Sequence, residues 1–401
     1  METAKIIDFQ SLTEKLGRFN LSNKTCLIPE MNRIGSHLLA AVFRGFGINA
    51  KIMDTCKGLD LGMEHTSGKE CYPCQITMGD ILYHMQGEAK LLGDDFDPED
   101  YIYFMPEADG PCRFGMYNKY QRIVLDSFPD LNRLKIGSLS TEDGYSLAGI
   151  IEDSRVRDLR KVSYFSLVIG DILDRLLWRI RPYEKEPGLT DDFIETSMHL
   201  MEEALERLGP AKKFNKILDK LEEIIKEGKR IIDPEVLPKP LIGIVGEIYL
   251  RTHVHANQDV IRVLEGYGAE VVNASLAEWV NYISYDGLRE AKAGFRLALR
   301  QFRLGLMKKY MKDIISFGGD LYYQEFRQKK VYKRVRSQID LAEDHRVGHL
   351  EEILMEKNLL DFDVGTEACL SIPGIMEYAR EGYNGVVNVY PFTCMPSTIT
   401  S

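Results

Sequence analysis

At 401 residues, with 44% hydrophobic and 28% charged side chains, the chain has globular composition and enough apolar material for two domains, which excludes a disordered or collagen-like polymer. Its 51 Lys and Arg against 61 Asp and Glu leave a net charge of −10, and the one basic run, "RQKKVYKRVR" at 327–336, reads as the solvated face of a helix, so nucleic-acid binding lacks electrostatic support. The opening "METAKIIDFQ" has no apolar stretch of signal-peptide length, and no apolar run reaches the roughly 18 residues of a membrane span, so a soluble cytoplasmic protein with reduced thiols is expected.

From residue 25 the chain alternates short apolar runs with helical patterns. "TCLIPEM" reads as a buried strand, "SHLLAAVFRGFG" as a helix and "NAKIMD" as a second strand. A long polar loop, "KGLDLGMEHTSGKE", leads to a helix in "CQITMGDILYHMQ". The strand "DYIYFMPE", the helix "RFGMYNKYQRIVLDSF" and the strand "RLKIGSLS" follow. Such alternation specifies a mostly parallel sheet with helices on its faces. Residues 1–151 form this N-terminal α/β domain, and 152–232, charged and periodic throughout, a helical connector. The Pro-rich "DPEVLPKPL" opens a C-terminal α/β domain over 233–401, with strands in "LIGIVGEIYL", "AEVVNAS" and "GVVNVYPF" and a helical insertion at about 286–358. An α/β half commonly adds a helix and a strand after its "GVVNVYPF", so a short second sheet, or one closed by another chain, is expected.

Seven cysteines in a chain of this kind are core filler, ligands or reactive thiols. Cys112 follows "DYIYFMPE", Cys394 follows "GVVNVYPF", and Cys71 and Cys74 lie between "NAKIMD" and a helix, so all four can reach the carboxyl edges of the sheets, where α/β proteins bind ligands. Each stands beside Pro or Gly ("CYPC", "GPCRFG", "CMPS"). Cys26 and Cys369 read as small buried hydrophobes and Cys56 as a loop residue near the same edge. "CYPC" before a helix suits a redox dithiol, although a strand does not lead directly into it. Structural zinc wants two close pairs, of which only one exists, and iron–sulfur ligation by thiolates is compatible with the spacing. His253 and His255, placed after "LIGIVGEIYL", and Glu107 in "MPEADGPC" are candidate acids or bases; each alone is more often a loop or capping residue. Glu247 and Asp109 are weaker candidates of the same kind. No nucleotide phosphate loop is present in the sequence.

Taken together, "HTSGKECYPCQITMGDIL", "DDFDPEDYIYFMPEADGPCRFGMYNKYQRIVLD", "GIVGEIYLRTHVHANQDVIRVLEGYGAEVVN" and "GYNGVVNVYPFTCMPSTI" resemble the CoA protein activase, or CoA-substrate-specific enzyme activase-related, family of the 2-hydroxyacyl-CoA dehydratase superfamily, which includes double-cubane-cluster proteins. The resemblance runs from about residue 24 to the end of the chain. It implies a 4Fe-4S cluster in a cleft between two Rossmann-like parallel-sheet halves, fed with low-potential electrons by a separate ATP-hydrolysing activase. It also implies an acyl-CoA substrate and a homodimer or heterodimer. Cys71, Cys112 and Cys394 match the family's cysteine positions, with Cys74 as a candidate fourth. A double-cubane cluster would have to recruit Cys26, Cys56 or Cys369, so a single cluster is expected. A non-catalytic electron carrier or scaffold for an activase, and a zinc or dithiol protein, stand as the alternatives.

Overall fold

Residues 14–401 are described by the computed structural model, and "METAKIIDFQ" lies outside them. The chain is mixed α/β, mostly helical, with two parallel sheets. The first takes β1 (Leu16–Gly17), β2 (Thr25–Ile28), β3 (Asn49–Ile52), β4 (Tyr101–Phe104) and β5 (Lys135–Gly137) in the order β1-β5-β4-β2-β3. Because successive strand residues face opposite sides, Cys26 and Ile28 of β2 enter one core and Leu27 the other. On the Cys26 side lie α1 (Arg33–Gly45) and the connector helices α5 (Asp153–Ile180), α6 (Leu189–Leu208) and α7 (Phe214–Gly228); on the Leu27 side lie α3 (Tyr72–Leu92) and α4 (Tyr117–Asp126).

The second sheet takes β6 (Leu241–Gly246), β7 (Glu270–Asn273) and β8 (Gly385–Val389) in the order β7-β6-β8. Between and around these strands run α8 (Ile248–Thr252), α9 (Val260–Gly266), α10 (Leu276–Arg300), α11 (Leu304–Val335), α12 (Val347–Lys357), α13 (Ala368–Arg380) and α14 (Met395–Thr400). The order β7-β6-β8 repeats the order β3-β2-β4 of the first sheet, so the loops after β4 and β8 occupy equivalent places, as do those after β2 and β6. No helix among the described residues is long and apolar enough to cross a membrane.

Three local features depart from the sequence-based expectation, each for an identifiable reason. The helical insertion begins at Leu276, ten residues before its expected start, because Ser275 accepts the Glu278 amide at 3.0 Å and caps α10. The strand expected through "LIGIVGEIYL" stops at Gly246: the Glu247 carboxylate accepts the amides of Tyr249 and Leu250 at 3.1 and 2.8 Å and starts α8 instead. Gly246 turns the chain there at φ +117°, and any Cβ would meet the Val389 carbonyl. The expected polar loop contains α2 (Leu59–Glu64), whose backbone lies directly on α3; a Cβ on Gly62 would fall 1.9 Å from the Gln75 carbonyl oxygen.

One turn of α5 ties the two sheets together at their carboxyl edges. Asp174 accepts from the Asn32 side chain at 3.0 Å, and Asn32, just beyond β2, caps α1 by accepting the Gly35 amide. Asp171 accepts the amides of Leu276 and Ala277 at 2.8 and 3.0 Å, at the start of α10 just beyond β7. Arg175 donates to Asp344, to the Tyr332 hydroxyl and, at 2.7 Å, to the Ala342 carbonyl. Burial pushes the carboxyls of Asp171 and Asp174 up to about 7.

Both aspartates hold a proton more tightly folded than unfolded, so they do not weigh against the fold below about pH 4 and do so increasingly as the pH rises to 7. Asp174→Asn, which removes the ionisable group and keeps an acceptor for Asn32, is expected to raise the melting temperature at pH 8 and leave it nearly unchanged at pH 4, as measured by calorimetry at the two pH values.

Candidate functional site

Three of the four cysteines singled out in the sequence lie in one region of the fold, with Cys394 near both Cys71 and Cys112. Cys71 reaches the carboxyl edge of the first sheet through the segment after β3, Cys112 stands after β4 and Cys394 after β8. Both Cys71 and Cys112 lie within the electrostatic reach of Cys394 and of Glu247, and Cys112 and Cys394 within that of Glu367. The site thus draws thiols from both sheets at the strand ends where the direction of strand addition reverses.

Each of these cysteines is the residue from which a helical segment starts: Cys71 precedes α3, Cys112 the 3-10 turn Arg113–Met116 that runs into α4, and Cys394 precedes α14. The amides of Tyr72, Phe114 and Ser397 lie near the sulfurs of Cys71, Cys112 and Cys394 respectively, and the Tyr117 hydroxyl lies near Cys71. Cys71 adopts φ +92° and ψ 145°, a conformation that costs a non-glycine residue about 1–3 kcal/mol, and the packing of α2 on α3 helps to hold it there.

Cys74, three residues on, is different. It is fully buried within α3, in the core that includes Met53, Met78, Ile81 and Tyr103. Burial raises its thiol above the usual range, with Glu70 and Cys71 adding to the effect. Cys74 thus lies near Cys71 and Glu70, whereas Cys71 and Cys112 lie near Cys394 and Glu247. Cys26 in β2 and Cys369 in α13 are also core residues, and Cys56 is half-buried near Thr55 and Asp80.

The site is acidic as well as sulfurous. Glu247 and Glu367 are buried, and Glu367 Oε2 has no hydrogen-bond partner. Burial, then the neighbouring Glu367, pushes the Glu247 carboxyl up to about 7; burial also raises Glu367, against which Arg251 is the opposing charge. Burial, then Glu247, pushes the Cys71 thiol up to about 12; burial pushes Cys394 up to about 11, and burial and Glu367 raise Cys112 well above its usual value. Without added positive charge these thiols stay protonated near neutrality, which works against a nucleophilic thiolate pair at "CYPC". Among the described residues no three His, Cys, Asp or Glu side chains are grouped to hold a single metal ion, as one zinc would need. A cubane makes a different demand, since each thiolate takes its own iron. Two buried thiols and the half-buried Cys112, beside an orphaned carboxylate oxygen, are a donor set that suits it.

The acid–base candidates fall elsewhere. Glu107 accepts from Asn118 at 2.7 Å and is paired with Lys119 on the outer side of the loop after β4. His253 does not follow a strand; it closes α8 and is buried, stacked on Tyr249 at 4.8 Å. Its Nδ1 accepts the Ala256 amide at 3.0 Å, so Nε2 carries the proton and donates to the Thr55 hydroxyl at 2.8 Å, which in turn donates to Asp80 at 3.0 Å. Burial pulls His253 down to about 4 and pushes Asp80 up to about 7, so in this relay, which joins the segment after β3 to that after β6, the imidazole is neutral at pH 7 while the carboxyl is close to half-protonated. His255 is exposed. Sequence reasoning missed Glu367, Tyr117, Thr55 and Asp80, which belong to no motif and come near the thiols or the relay only through folding.

Compared with family models, curated proteins and solved structures, the chain matches none.

Thr55→Val strands the His253 N–H and an oxygen of Asp80 and is expected to cost about 1–3 kcal/mol in urea unfolding. His255→Ala, at an exposed position, is expected to stay within about 0.5 kcal/mol of the parent.

Proposed function

We propose that the chain is an iron–sulfur protein of the 2-hydroxyacyl-CoA dehydratase type, built on two Rossmann-like halves, which takes low-potential electrons from a separate ATP-hydrolysing activase for a reductive or dehydration reaction on an acyl-CoA. The observation that carries this reading is the placement of Cys71, Cys112 and Cys394, supplied by both sheets, around the buried Glu247. Thiols and carboxylates withdrawn from water are stable either as neutral acids or against positive charge, and thiolates on iron are the second case.

Cys71, Cys112 and Cys394 would hold a 4Fe-4S cluster, with Cys74 outside the ligand set. When bound, such a cluster supplies a low-potential electron and, on three protein thiolates, leaves one iron without a protein ligand. The surrounding residues have separable tasks. The amides of Tyr72, Phe114 and Ser397 offset negative charge on the three sulfurs, and the Tyr117 hydroxyl does the same at Cys71. Glu247, with its carboxyl at about 7, can hold or release a proton near neutrality. The α3 and α4 core behind Cys71 keeps water from that side.

Anaerobic reconstitution with iron and sulfide is expected to load about four irons per chain and to give the broad brown absorption of a cubane. Cys112→Ala and Cys394→Ala should lose it, while Cys74→Ala should keep it. Full iron uptake by the Cys71, Cys112 and Cys394 triple alanine variant, or one zinc per chain in protein purified without oxygen, would overturn the reading.

A further inference from the structure

A positive field stands at a place that the thiol site does not use. The 15-residue α7 begins after Lys213, and no side chain caps it. A cavity of about 270 Å³ opens at this end, with Lys212, Lys213 and Lys216 on one side and Arg327 and Lys330 of α11 on the other, and no carboxylate lines it. Lys212 is paired with Asp158 at 2.6 Å; Lys213, Lys216, Arg327 and Lys330 make no ion pair among the described residues.

Arg327 is the informative member. It is 8% exposed, and its guanidinium lies 3.9 Å from the centre of the Phe214 ring, with Phe165 and Tyr323 at 5.5 and 5.4 Å. Stacked rings cover the faces of a guanidinium, but its N–H donors point outward in its own plane and still need acceptors. Here Nε is buried without a hydrogen-bond partner, and the group borders the cavity. Arg334, two turns further along α11, makes the contrast: it is engaged by Glu222 and by Asp219 at 2.7 Å. The basic run at 327–336 is therefore not a uniformly solvated helix face. One end is neutralised by acids of α7, and the other is turned into a cavity at that helix's start.

We propose that this cavity binds a small phosphate-bearing anion. An uncapped helix start offers amides and the positive end of the helix dipole, a buried Arg offers a planar fork of donors, and flanking lysines add point charge, which together match the tetrahedral oxygens of phosphate. The small extent of this basic patch favours a small solute over an extended polyanion, in keeping with the overall charge of −10.

Calorimetric titration of the full chain with inorganic phosphate and with pyrophosphate, against chloride at matched ionic strength, is expected to give one site that weakens as salt rises. The exposed pair Lys216→Glu with Lys330→Glu, its fold checked by circular dichroism, should weaken binding about tenfold or more. Arg327→Gln should abolish it. Absence of binding by both anions at millimolar concentration, or unchanged affinity in the double charge reversal, would overturn the proposal. So would capture by phosphatidylcholine vesicles containing phosphatidic acid that soluble pyrophosphate does not displace.

Discussion

Asp171, Asp174 and Arg175 occupy one turn of α5 and hold, respectively, the amides that begin α10, the Asn32 that begins α1, and Asp344 beyond α11. The first two partners follow β7 and β2, so a single helical turn presents the carboxyl edges of both sheets to one place. Burying these acids does little for net stability, because desolvation opposes the bonds they make. What the turn provides is registration: each acceptor has one set of donors, and a shift along α5 would leave buried amides unpaired.

The position of the thiols depends on that registration. Cys71 and Cys112 come from one sheet and Cys394 from the other, and no local structure within either sheet would bring them together. The relay from His253 through Thr55 to Asp80 makes a second crossing between the sheets. Cys71 bears the strain of the arrangement, with φ +92° at the start of α3 held by the close approach of α2 to that helix. Cost at one cysteine and registration at a distant helix serve the same geometry.

Much of this was legible in the sequence, because it rests on periodicity and on where strands end. Apolar runs such as "TCLI" and "YIYF" marked the parallel strands, and Cys112 and Cys394 could be placed at equivalent strand ends without a motif. Cys71 and Cys74 could not be separated by spacing alone: the first stands just outside a helix and the second is inside it, facing the core. Capping decided what periodicity could not, since Glu247 ends a strand that its flanking apolar residues would extend, and so moves His253 off the sheet edge. Glu367 and Asp80 carried no signal at all, because a lone carboxylate in sequence says nothing of the thiols or hydroxyls that it meets after folding. The basic run misled for a similar reason, as its charges face different partners along one helix.

The most direct test of the central claim is anomalous X-ray scattering at the iron edge from crystals of the anaerobically reconstituted protein. Iron density is expected enclosed by the sulfurs of Cys71, Cys112 and Cys394, with none bonded to Cys74. Iron bound through Cys74 in place of Cys394, or a reconstituted protein with no iron at these thiols, would contradict it.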